Sequence, residues 1–374
     1  MASIAERRAG ILRSRSLSWL AVAALGFAAP LLAQTRGFIP VNPPGAGTLA
    51  DQGTVAIAIN QSGVVAGYYG DDNYAFHGFV RSAQGVITEF DAPGLTNTMV
   101  FGINSSGQVV GNGHHQFNIR GELLGFLRNS NGAFSGISPS GAVTTFPNGI
   151  NDSGEIAGFY YTGRNDVDHG FIAANSGAAF SYTRFDEPDA SLQPSGGTVA
   201  NGINASGEVF GYYTDATVGA VHGFTRDREG NFTSFDAPGA GRLQGYGTIP
   251  LSINGSGEIV GYYSDSVAVF HGFYRDALGN VTDFDPPGSV QTFAYGINDH
   301  GDVVGYWMPS FQGTRGFLRD KSGNITSFSA PVQDASATLI FSINNARQMT
   351  GSYYDLNGAL HGFLWQAASA EDRK

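Results

Sequence analysis

Short runs in which apolar and polar residues alternate, such as Asn231-Phe232-Thr233-Ser234-Phe235, recur along the chain, and turns rich in Gly, Asn, Asp and Ser separate them. A period of two puts every second side chain on one face, which marks a half-buried strand. No stretch beyond residue 35 sustains the period of an amphipathic helix. The pattern predicts an all-β protein.

The runs are organised as copies of one unit, best preserved from Gly202 to Gly239. Each copy opens on Ile-Asn with a Gly seven residues beyond the Asn: Asn60/Gly67, Asn104/Gly111, Asn151/Gly158, Asn204/Gly211, Asn254/Gly261, Asn298/Gly305 and Asn344/Gly351. The constant spacing predicts one fixed turn. In six copies it reads Asn-x-x-Gly, with a side-chain acceptor at the first position and a residue free to take positive φ at the fourth; Arg347 replaces that Gly in the last copy. A second hairpin runs from a His-Gly-Phe mark to a Phe-Asp mark, as from Phe224 to Phe235, and is longer from Phe171 to Phe185. Each copy is thus four strands: the first ends at the Asn, the second carries Gly-Tyr-Tyr, the third His-Gly-Phe and the fourth Phe-Asp. Repeated units of this size suit four-stranded propeller blades.

The seventh copy stops after its third strand, at His361-Gly362-Phe363-Leu364-Trp365. Its missing fourth strand lies at the other end of the chain, where Val41-Asn42-Pro43-Pro44-Gly45 matches Phe235-Asp236-Ala237-Pro238-Gly239. A borrowed strand closes the array without an open sheet edge, whereas an open solenoid leaves both ends unpaired. The expected architecture is a seven-bladed β-propeller over residues 34–366, after a leader at 1–33 and before a polar tail at 367–374.

These units resemble the HAF-type extracellular repeats, written around Gly-Ile-Asn-Asp-x-Gly-x-Val-Val-Gly-Tyr and His-Ala-Phe, for which His-Gly-Phe stands here. The likeness covers essentially the whole chain beyond the leader. It implies an exported repeat protein and carries over no catalytic residue.

The leader agrees with export. Arg7, Arg8, Arg13 and Arg15 precede an apolar run from Leu17 to Leu32, with small residues near a cut after Ala33. A basic head, apolar centre and small residues make a secretory signal peptide. The run is short for a spanning helix and contains Pro30, and Ala9-Gly10-Ile11-Leu12 departs from a twin-arginine pattern. The expectation is an extracellular or periplasmic protein with no transmembrane segment in its mature chain. Cysteine is absent, which excludes disulfides, thiolate metal sites and a lipid-attachment cysteine. With 54 glycines and only 14% charged residues, the composition fits many short strands and turns. Loss of the leader takes the net charge from −11 to −14, because four arginines and Glu6 leave with it. Such a surface repels phosphate backbones and sets nucleic-acid binding aside. No nucleophile motif, phosphate loop or cofactor signature is present, so no cofactor is expected.

Histidine before Gly-Phe and the residue after the fourth-strand aromatic occur together: His77/Asp91, His169/Asp186, His222/Asp236, His271/Asp285 and, across the closure, His361/Asn42. Where Leu124 or Arg315 replaces the His, Ser138 or Ser329 replaces the acid. Paired gain and loss predicts buried structural hydrogen bonds between neighbouring strands. The rival is a repeated catalytic dyad, but an active site is normally single whereas a packing device repeats with the fold. The repeated Arg81, Arg128, Arg226, Arg275 and Arg319 read as structural on the same ground. The Asn-x-Ser-Gly turns lack the carboxylates that calcium needs, and no metal site is assigned.

Long connections, from second to third strand and from fourth strand to the next copy, share one face, where a ligand is expected. Second strands deliver Tyr69, Tyr160, Tyr213, Tyr263 and Trp307 towards it, while the first aromatic of each pair is expected to pack between blades. Copy two departs from the pattern with Asn112-Gly113-His114-His115, followed by Arg120 and Glu122; copy six brings Trp307 and Arg315. The expected ligand-binding set is Tyr69, Tyr160, Tyr213, Tyr263, Trp307, Arg315, His114 and His115. Aromatic faces flanked by carboxylates suit a glycan or a protein partner, so the expected function is a binding scaffold. One alternative is a lyase or hydrolase acting on a polysaccharide or small cyclic substrate through His114, His115, Arg120 or Glu122. Another is a structural surface protein.

Overall fold

The computed structural model describes residues 37–115, 123–163, 167–175, 179–309 and 313–366, all within one compact unit, Thr35–Lys374. The leader and the polar tail lie outside the described residues. Among the described residues every regular element is a strand, and no helix is long and apolar enough to cross a membrane.

Among the described residues twenty-eight strands form six sheets, five of four strands and one of eight. Strands follow one another in chain order within each repeat. In repeat four they are Gly197–Ile203, Val209–Thr214, Val221–Arg226 and Phe232–Phe235, each antiparallel to the next. The eight-stranded sheet holds repeats one and seven, whose strands meet through a single parallel pair, Gly53 with Leu360. Phe38–Val41 runs antiparallel to Leu360–Gln366, with Val41 opposite Gly362, and so takes the place of a fourth strand in repeat seven.

The Asn of the Ile-Asn mark serves two bonds at once. Its side-chain oxygen accepts from its own turn, as Glu208 N donates to Asn204 Oδ1 at 3.0 Å. Its amide donates to the main-chain carbonyl of the same Asn in the next repeat: Asn60 to Asn104, Asn104 to Asn151, Asn151 to Asn204, Asn204 to Asn254, Asn254 to Asn298, Asn298 to Asn344, and Asn344 back to Asn60. These bonds form a closed circle. The Gly seven residues on has its own cause: the first strand bulges opposite it, between Ala200 and Gly202 in repeat four, and a Cβ on Gly211 would come within 1.9 Å of the Val199 carbonyl oxygen.

A threonine recurs in every first strand, at Thr54, Thr98, Thr145, Thr198, Thr248, Thr292 and Thr338, and all are buried. Four of these hydroxyls accept a backbone N–H from the turn after the preceding fourth strand, from Ala92, Glu187, Ala237 and Ala330 at 2.8–3.0 Å. At the three other positions the donor residue is Pro43, Pro139 or Pro286, which has no N–H. Thr292 bonds Ser289 instead, while the hydroxyls of Thr54 and Thr145 have no partner.

Between sheets the core is apolar. The phenylalanines of the third-strand mark, Phe79, Phe171, Phe224, Phe273, Phe317 and Phe363, are fully buried. Arg128, Arg226, Arg275 and Arg319 each lie over a fourth-strand ring of the preceding repeat, Phe90, Phe185, Phe235 and Phe284, with guanidinium carbons 4.7–5.0 Å from the ring centres.

Candidate ligand site on the long-connector face

In repeats one, four and five the third-strand histidine lies between two chain segments. His222 Nδ1 is 2.9 Å from Asp236 Oδ1 at the end of the fourth strand, and its Nε2 is 3.2 Å from Asp215 Oδ2 in the loop after the second strand. The ring stacks on Tyr213 with centres 5.2 Å apart. Repeat one has the same set in Asp71, His77, Asp91 and Tyr69, and repeat five in Asp265, His271, Asp285 and Tyr263. In repeat three, His169 reaches Asp186 at 2.9 Å and tilts against Tyr160. Using both ring nitrogens, one imidazole ties the loop to the sheet edge.

The loop carboxylate is itself held in place. Partial burial raises the Asp215 pKa, but hydrogen bonds from Thr217, Val218 and His222 outweigh it and keep the carboxyl well below the usual carboxylate range. Asp71, Asp265 and Asp355 are lowered in the same direction.

Three expectations need correction. The His/Asp pairs are not buried: the histidine side chains are about a quarter exposed, and Asp91 is 57% exposed. They sit on the rim because the third strand starts beside the loops, where water reaches the outer carboxylate oxygens. His361 does not pair with Asn42. Asn42 Oδ1 accepts instead from Gly362 N, and His361 Nε2 lies 3.2 Å from Asp355, because an amide at the borrowed strand's end faces the backbone. Tyr69, Tyr160, Tyr213, Tyr263 and Trp307 are largely withdrawn from a ligand, each only 3–5% exposed, although Tyr213 does line the cleft at repeat four. Both faces of a sheet are covered by its neighbours, so these rings fill the layer beneath the histidines. Burial is the main cause that pushes the Tyr69 hydroxyl up to about 12, with Glu89 and Asp91 adding to it.

Repeat six substitutes the whole set. Trp307 replaces the Tyr and Arg315 the His; the guanidinium lies 6.0 Å from the indole centre, and Trp307 Nε1 donates to Ser327 Oγ at 3.1 Å. In repeat two Asn112 is fully buried with neither amide atom partnered, and His114 is half-buried opposite Leu123. Arg120, Glu122 and the side chain of His115 lie outside the described residues. Among the described residues no cluster of His, Asp and Glu could hold a metal ion.

The structure brings Tyr213, His222 and Asp236, which the sequence singles out, together with connector residues that it does not. A cleft of about 560 Å³ opens at repeat four, floored by Tyr213, Asp215, His222 and Asp236 and walled by Pro188, Asp189, Val218 and Arg242. Its origin is connector length. The segments 43–53, 187–197 and 237–247 are long connectors, each ending in a parallel contact with the third strand of the preceding repeat: Gly53 with Leu360, Gly197 with Asp168, Gly247 with Val221. Those glycines have φ of 96°, 116° and 140°, and a Cβ on Gly247 would sit 1.8 Å from the Val221 carbonyl oxygen. Repeat four alone has such a connector on both sides. The equal spacing between the Phe-Asp mark and the next threonine could have signalled this.

No family model matches the chain, and no curated protein matches it in sequence. Solved structures share its architecture. An acylaminoacyl peptidase from Pyrococcus horikoshii aligns over 86% of this chain and 51% of its own, at 8% identity and a TM-score of 0.55. The BP39L lectin from Burkholderia pseudomallei aligns over 84% of this chain and 96% of its own, at 13% identity and a TM-score of 0.52. A six-bladed β-propeller lectin of Aleuria aurantia aligns over 74% and 95%, at 12% identity and a TM-score of 0.44. This chain spans about half the length of the peptidase it matches. At such identities the likeness is one of fold, and with the four-stranded sheets it makes this chain a protein of the β-propeller kind.

Proposed function

We propose that this protein is an exported, seven-bladed propeller of the HAF-repeat kind that binds a neutral glycan on its long-connector face, at repeat four. The blade count is supported by the circle of asparagines and by the single residue pair that joins repeats one and seven, the same contact that elsewhere occurs as an isolated bridge. The function is supported above all by the cleft at repeat four. Asp189 and Asp236 can accept from sugar hydroxyls, Arg242 can donate to them, and exposed Val218 offers an apolar edge to a sugar's C–H face. The excess of carboxylates disfavours an anionic ligand. His222 and Asp215 already spend their hydrogen bonds on each other and on the loop, which favours binding over turnover. The lectin BP39L agrees with this reading at the level of fold.

The test is a glycan array probed with the full chain, followed by Arg242→Ala. Affinity for the glycan found is expected to fall about tenfold or more while the thermal melt is unchanged. Undiminished affinity in that variant would remove the site from repeat four. An array with no neutral glycan bound would remove the function.

A further inference from the structure

We infer that the glycan site is a trough over repeats four and five that takes consecutive units of a neutral polysaccharide chain rather than one terminal sugar; this rests on the glycan reading above. The segment 237–247 walls the cleft of repeat four, where it contributes Arg242, and continues onto repeat five, where Gly241 N donates to the Ser264 carbonyl at 2.8 Å and Gly247 N to Ser264 Oγ at 3.1 Å. One wall therefore belongs to both repeats.

Repeat five repeats the floor. His271 Nδ1 lies 2.6 Å from Asp285, its Nε2 3.7 Å from Asp265, and its ring stacks on Tyr263. Apolar crests stand along both repeats, alternately on connectors and loops: Leu192, Val218, Leu243 and Val267, exposed by 64, 56, 60 and 74%. Exposed aliphatic side chains at successive connector and loop tips offer apolar edges to a ligand. A sugar chain matches the alternation, laying C–H faces on the crests and hydroxyls against the carboxylates, whereas a charged polysaccharide would be repelled by the aspartates. Packed sheets lie about 10 Å apart, so an occupant that reaches both floors is longer than one sugar ring.

The experiment titrates the full chain with ladders of glucose, xylose and N-acetylglucosamine oligomers, from monosaccharide to hexasaccharide, by calorimetry. Affinity is expected to rise about tenfold or more from the shortest binding species to the tetrasaccharide. Val267→Glu, at a loop tip far from the core, is expected to abolish that rise and leave short-chain affinity intact. Affinity that is independent of length, or a rise that persists in Val267→Glu, overturns the trough and leaves the single-cleft function standing. No binding by any ladder overturns the trough, and the single-cleft function then stands or falls with the array.

Discussion

Asn344 donates its side-chain amide to the main-chain carbonyl of Asn60, 3.1 Å away and 284 residues earlier in the chain. The bond is the same one that links every other neighbouring pair of repeats, so the first and last repeats meet as ordinary neighbours. In a closed array Asn344→Ala costs as much as the mid-chain Asn204→Ala, about 1–3 kcal/mol each. In an open array the terminal loss would be smaller. Urea unfolding of both variants compares the costs, and a much milder effect at Asn344 would argue against closure.

The threonines separate satisfied from orphaned hydroxyls in one environment. Thr198 accepts from Glu187 N at 2.8 Å, whereas Thr145 is fully buried with its hydroxyl unpaired because Pro139 stands at the donor position. Thr198→Val is expected to destabilise by about 1–3 kcal/mol through the stranded N–H, and Thr145→Val to be neutral or stabilising by up to about 1 kcal/mol. Thermal melts of the pair decide, and equal losses would overturn the account.

Acid is expected to loosen the loops of repeats one, four and five. The folded pKa of Asp215 lies below its unfolded value of 3.8, and those of Asp71 and Asp265 are lowered likewise. Their contribution is fully present above the unfolded value and is lost as pH falls through the depressed folded values. Limited proteolysis between pH 5 and pH 2 should show cleavage within 215–220 only at the acid end. In Asp215→Asn the acid dependence of that loop should disappear; loop cleavage that keeps the original pH profile would contradict the carboxylate's role.

Trp307 behaves as a core residue. At 5% exposure, with Arg315 against its face and Ser327 on its indole nitrogen, Trp307→Ala is expected to cost about 3–5 kcal/mol. A melt that stays at the wild-type temperature would return this residue to the ligand face where the sequence had placed it.

Much of the fold is legible in the sequence because its rules are local. The Asn-to-Gly spacing encodes a turn whose bonds close within a few residues, and the alternation of Phe232-Thr233-Ser234-Phe235 encodes a strand whatever surrounds it. The displaced copy of a strand at Val41 was readable because Val41-Asn42-Pro43-Pro44-Gly45 matches the fourth-strand mark Phe235-Asp236-Ala237-Pro238-Gly239, a likeness that needs no coordinates.

The site was not legible, for reasons equally physical. A period of two separates Tyr212 from Tyr213 but does not say which face is open, and here the second-strand rings singled out as ligand contacts are nearly all covered, with Tyr213 also lining the cleft. Pairing of His222 with Asp236 follows from register, yet its second carboxylate, Asp215, arrives from a loop whose path no periodicity describes. The cleft lies where two long connectors flank one repeat, which brings Asp189 and Arg242 to the same opening. Sequence by itself determined the strands and their turns, since those depend on neighbours along the chain. Only the tertiary structure decided which surfaces meet water, since that depends on neighbours in space.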